Sequence, residues 1–162
     1  MKYLKNVLIF LFIIGLWGCA TPKYEKQESA YIVLKTPVFK YADMGFVYEN
    51  SDEVKVEIYG NGQALMSLRI GKENVCMSRF ECMGKKVFNH KVLSASYPDD
   101  ILEHIFRAEA IFHGIGMKRN RNGFTQKIIK PGKNNIVYSV LNNQIVFRDT
   151  INHIIIKIKR MK

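Results

Sequence analysis

Glu53-Val54-Lys55-Val56-Glu57-Ile58-Tyr59-Gly60-Asn61-Gly62-Gln63-Ala64-Leu65-Met66-Ser67-Leu68-Arg69-Ile70 alternates apolar and polar side chains on both sides of a glycine-rich break. Val54, Val56 and Ile58 share one face, with Glu53, Lys55 and Glu57 opposite. Beyond the break, Ala64, Met66, Leu68 and Ile70 share a face, with Ser67 and Arg69 opposite. A period of two is the pattern of a strand with one side buried. Gly60-Asn61-Gly62 tolerates the positive φ angles of a tight turn. Residues 53–70 therefore predict a β-hairpin.

The same pattern extends in both directions. Residues 31–35 and 38–49 read as one or two strands, with Pro37 as a break or edge feature, since proline cannot donate to a central ladder. Residues 74–80 and 86–93 continue the sheet. Strands resume at 124–129, 135–141, 144–148 and 153–159, separated by Pro131-Gly132 and Asn142-Asn143. Ile154, Ile156 and Ile158 share a face, with Lys157 and Lys159 opposite. One helix is predicted over residues 98–110. Pro98 suits a first turn, Asp99 and Asp100 favour a helix N-terminus, and Ile101, Leu102, Ile105 and Phe106 fall on one side. A basic polar loop, residues 118–123, follows it. The fold class is mainly β with an inserted helix, a strongly curved antiparallel sheet or unclosed β-barrel wrapped around that helix.

At the start of the chain Lys2 and Lys5 precede an apolar run over residues 7–16 that ends in Leu16-Trp17-Gly18-Cys19. A charged start, a short apolar segment and a small residue before a cut site mark an export signal. Leu16, Gly18 and Cys19 resemble the lipobox of bacterial lipoproteins. That resemblance implies a signal peptide over residues 1–18, a lipidated Cys19 with a polar tether over 19–30, and a single β-rich domain over 31–162. Acyl chains contribute about 0.8 kcal/mol per buried methylene, and more than one makes a stable anchor. Without its first 18 residues the chain of 162 keeps 144, enough for one domain with a sizeable core.

The full chain carries 25 basic and 14 acidic residues. Losing Lys2 and Lys5 leaves 23 against 14, an excess of nine positive charges. The basic residues are scattered rather than interleaved with aromatics, and an exported protein does not normally meet nucleic acid, so anionic lipid headgroups are the better partner. Cys76 and Cys82 are an even pair in the globular part. They form either a disulfide, which an oxidising compartment permits, or a pair of buried thiols acting as small hydrophobes. With no nearby histidine they supply half of a tetrahedral metal site, and no metal is expected.

Catalytic patterns are missing. The chain has no Gly-x-Ser-x-Gly elbow and no phosphate-cradling glycine loop with a following lysine. His90, His104, His113 and His153 are isolated. Asp99, Asp100 and Glu103 have a structural reason at a helix start. Neither enzyme activity nor a cofactor is expected; a hydrolase would need Ser, His and Asp brought together by the fold. The apolar face of the sheet and helix, with Met66, Leu68, Ile70, Ile105, Phe106, Ile156 and Ile158, makes either a solid core or the lining of a ligand-binding cavity. Seven Met and ten Phe would suit a deformable lining.

The order of elements, a lipobox, antiparallel strands, a helix and a last group of strands, resembles the LolB/LolA family of outer-membrane lipoprotein localisation proteins. Residues 56–66 are similar to that family's mid-barrel hairpin, 97–110 to its helix and 135–159 to its closing strands. The resemblance covers residues 38–159. It implies an unclosed barrel that holds acyl chains of lipoproteins or other lipids between sheet and helix, and a periplasmic carrier protein as a partner. It also implies a membrane-contact or transfer loop at Asn61 and Gly62, with Leu65 as the nearest apolar side chain. Ala20 rather than Asp after Cys19 implies the outer membrane, facing the periplasm. The rival expectation is a non-enzymatic accessory or structural lipoprotein of an envelope assembly, such as lipopolysaccharide export, with a filled core.

Overall fold

The first and last strands of the described chain lie side by side at the centre of the sheet, with Ala30 opposite Arg160 and Leu34 opposite Ile156. The computed structural model describes residues 23–77 and 81–161. The signal segment, Cys19 and residues 20–22 of the predicted tether lie outside the described residues. The strands are β1 (Lys26–Lys35), β2 (Lys40–Glu49), β3 (Val54–Gly60), β4 (Gln63–Ile70), β5 (Asn74–Met77) and β6 (Glu81–Gly84), followed by helices α1 (Lys85–Val92) and α2 (Ile101–Phe106). After a 3-10 turn at Phe112–Gly114 come β7 (Met117–Asn120), β8 (Gly123–Lys130), β9 (Asn134–Leu141), β10 (Gln144–Asp149) and β11 (Ile154–Arg160). The sheet order is β6-β5-β4-β3-β2-β1-β11-β10-β9-β8-β7, every pair antiparallel. Each half is a meander, and the pairing of β1 with β11 joins the halves. The outer strands β6 and β7 leave the sheet unclosed. The expected class, a curved antiparallel sheet enclosing inserted helical structure, is the one observed.

Period-two alternation places Ile32, Leu34, Val56, Ile58, Leu68, Ile70, Phe147, Ile156 and Ile158 on one face, all buried. The helices fill the hollow. Phe88 and Val92 of α1 and Ile101, Leu102, Ile105 and Phe106 of α2 join the same continuous cluster. Burying each such side chain stabilises the fold by roughly 1.5–3 kcal/mol before the entropy of ordering is subtracted. The bend of the sheet brings backbones together at Gly45, where a Cβ would lie 2.0 Å from the carbonyl oxygen of Glu57. Only glycine fits between β2 and β3 at that point.

Four local expectations are corrected. Residues 86–93 are not a strand: Lys85–Val92 is helical, burying Lys85, Phe88, Asn89 and Val92 on one side. Lys85 Nζ reaches Glu103 Oε2 of α2 at 2.7 Å, a contact 18 residues away that no local pattern announces. The helix predicted over 98–110 spans only Ile101–Phe106; it stops there because Ala108 takes a left-handed conformation (φ 61°) and Glu109 N–H turns back to the carbonyl of His104. At the other end β1 begins at Lys26, paired with Glu49, so residues 26–30 of the predicted tether belong to the sheet. The basic loop after residue 117 also starts as a strand, with Met117–Asn120 pairing with Gln126–Gly123.

Candidate functional site

The β3–β4 hairpin shapes one end of the sheet. Asn61 (φ 52°) and Gly62 (φ 76°) form its two-residue turn, with both central residues at the positive φ that such turns need. Below the turn the register shifts: Ile58 pairs with Met66, but Tyr59 pairs with Ala64, leaving Leu65 as an extra residue on β4. A β-bulge of this kind re-aims a side chain. Leu65 folds over Gly60, where a Cβ would meet Leu65 Cδ1 at 2.6 Å. Leu65 stays 53% exposed while its neighbour Met66 is 6% exposed.

A groove of about 530 Å³ opens beside this bulge, bordered by Tyr41, Leu65, Met66 and Met77, with the carboxylates of Glu57 and Glu81 at its margin. Phe39 packs against Tyr41 with ring centroids 5.6 Å apart. Burial alone would raise the Glu57 carboxyl, but Lys55 at 2.7 Å and the hydroxyls of Tyr59 and Tyr48 outweigh it and hold the group below the ordinary carboxylate range. The groove therefore combines apolar side chains with two acidic residues. Cys76 and Cys82 face each other across β5 and β6 and are joined by a disulfide, which settles the alternative left open by their spacing. That bridge is the rung next to the pair of Met77 and Glu81, the two groove residues of this hairpin.

No protein-family model matches the chain, and no curated protein matches it.

Of the residues expected to line a cavity, Leu68, Ile70, Ile105, Phe106, Ile156 and Ile158 are at most 1% exposed and pack against one another and the helices. Met66 alone borders the groove. Of the expected transfer residues, Leu65 borders it, and Asn61 and Gly62 form the turn above it. Tyr41, Met77 and Glu81 were missed; they come to the groove from β2, β5 and β6, and the bulge and strand boundaries that bring them there are not marked by the alternation of any one segment. Ser94 and Ser96 bond each other, and Ser96 bonds Asn134 rather than a histidine. His104 instead faces Asp100 and Glu109. Among the described residues no cluster of three His, Cys, Asp or Glu suits a metal ion, and no helix is long and apolar enough to cross a membrane.

Proposed function

We propose that this chain is a lipid-anchored lipoprotein of the outer membrane, facing the periplasm, that shelters acyl chains without covalent chemistry, as a carrier or receptor similar to the LolB/LolA family. The observation that supports it is exposed Leu65 next to buried Met66 at the β4 bulge, both bordering a groove of about 530 Å³. Ligand pockets run from roughly 300 to 1,000 Å³ and are mostly apolar with a few placed polar groups. Removing apolar area from water at about 25 cal/mol per Å² drives an acyl chain into such a groove, and release needs only a membrane or carrier protein that offers a slightly better site. The acyl site is then the groove itself rather than the interior.

Mass spectrometry of organic extracts tests this, on protein beginning at Ala20 and purified without detergent. Stoichiometric lipid that is lost on Leu65→Asp supports the carrier; an empty, stable protein overturns it. The filled core favours a second reading, an accessory subunit of an envelope assembly that acts through its surface. A stable complex recovered from membranes in the absence of bound lipid would support that reading instead.

A further inference from the structure

The geometry points to a phosphate-binding site on the outer face of the sheet, formed by Lys35, Arg148 and His153. Lys35 of β1 and Arg148 of β10 are both register partners of Ile155 on β11, so the two cations stand on either side of one isoleucine on one face. Adjacent strands are about 4.8 Å apart, which sets the two side chains roughly 10 Å apart at their roots, a span that long side chains converge across. His153, in the left-handed turn (φ 55°) that leads into β11, borders the same concavity. These residues, with Thr150 of the β10–β11 turn, border a concavity of about 300 Å³.

The acid at this place is already committed. Asp149 is buried, and its Oδ1 accepts the backbone N–H groups of Asn135, Ile151 and Asn152 while its Oδ2 accepts Tyr97 and the Asn152 amide. Among the described residues, neither Lys35 nor Arg148 pairs with a carboxylate, and none of the three side chains, nor the Thr150 hydroxyl, bonds to another group. Two fixed cations, an imidazole and a hydroxyl thus present open donors to one concavity, on a turn that Asp149 holds rigid. A tetrahedral oxyanion takes several donors at once, and Arg in particular offers two parallel N–H bonds to phosphate. The shared chemistry is a phosphate group, whether free or at the head of a lipid. The site stands whether or not the groove at Leu65 takes an acyl chain.

The full chain, held in uncharged maltoside micelles at constant ionic strength set by potassium chloride, is titrated with inorganic phosphate and, separately, with dihexanoyl phosphatidic acid. The imidazole proton–carbon resonances of His153 report binding, and those of His90 on α1 serve as the control. The expected result is a saturable shift at His153 with His90 unmoved, and affinity about tenfold or more weaker in Lys35→Gln and in Arg148→Gln, both exposed positions. Binding of inorganic phosphate with equal strength marks a free anion as the ligand; binding of the lipid alone, or much more tightly, marks a headgroup. Resonances of His153 that neither probe moves, or that saturate identically in the doubly substituted protein, would overturn the site.

Discussion

Tyr97 donates its phenolic hydrogen to Asp149 Oδ2 over 2.7 Å, fastening the segment that leads into α2 to the turn between β10 and β11. Both residues are buried, and the Tyr97 ring meets Phe112 and Phe147 edge-on, so the polar contact sits inside an aromatic cluster. Through this carboxylate the helical segment and the second half of the sheet share one anchor.

The Asp149 anchor gives stability a defined dependence on pH. Burial would raise its carboxyl, but the hydrogen bonds from Tyr97, Asn152 and the backbone of Asn135 and Asn152 prevail and hold it below the usual range. A folded-state value below the unfolded one of about 3.9 means the contribution is present above that pH and lost as pH falls through the lower folded value. Urea denaturation followed by circular dichroism should give a lower midpoint at pH 3 than at pH 7. Asp149→Asn should cost about 1–3 kcal/mol at pH 7 and make the acid limb shallower. An unchanged acid limb would remove Asp149 as its source.

A filled interior predicts large costs for truncation. Phe106→Ala should lose about 3–5 kcal/mol and Ile156→Ala about 2–5 kcal/mol, measured by chemical denaturation. Losses under about 1 kcal/mol at both positions would mean that these side chains border ligand space, contrary to their burial.

Two glycines separate fold from groove. Gly45→Ala places a Cβ against the backbone oxygen of Glu57, which cannot step aside, and should destabilise by about 2 kcal/mol or more. Gly60→Ala meets only the mobile end of Leu65 and should cost less than about 1 kcal/mol. Because it displaces Leu65, it should nevertheless weaken uptake of a fluorescent fatty acid, read by titration. Equal stability losses at the two sites would contradict this geometry.

The Cys76–Cys82 bridge closes a short loop, so its loss should cost about 2 kcal/mol at most. Reduction should speed amide exchange in β5 and β6 and leave β1 and β11 protected, since the bridge lies near one edge of the sheet and those strands at its centre. Uniform acceleration across all strands would show instead that the bridge holds the whole fold.

How far the chain could be read without its tertiary structure differs by element. The hairpin of β3 and β4 was legible because both faces alternate cleanly and Asn61-Gly62 suits the turn. Helix α1 was not, because Lys85–Val92 has few apolar residues, two of them β-branched, and no side-chain cap. Its helical form is supported by Phe88 and Val92 packing under the sheet and by Lys85 meeting Glu103. The one-residue bulge that lays Leu65 over Gly60 was not legible, because hydrophobic period alone does not reveal a register shift.

Local sequence thus determined which residues turn inward, where most turns fall and that the protein is an antiparallel sheet with inserted helical structure, because these depend on alternation and backbone preference within a few residues. The tertiary structure alone decided that β1 pairs with β11, that Arg160 gathers Glu28, Glu49 and the carbonyl of Phe106 at that junction, and that the helices fill the hollow. It also decided that Lys35, Arg148 and His153 stand around Ile155. The β1–β11 pairs and the reach of Arg160 to Glu28 and Glu49 join residues more than a hundred positions apart, and the strand register is set by simultaneous burial of every inward face, which no single segment encodes.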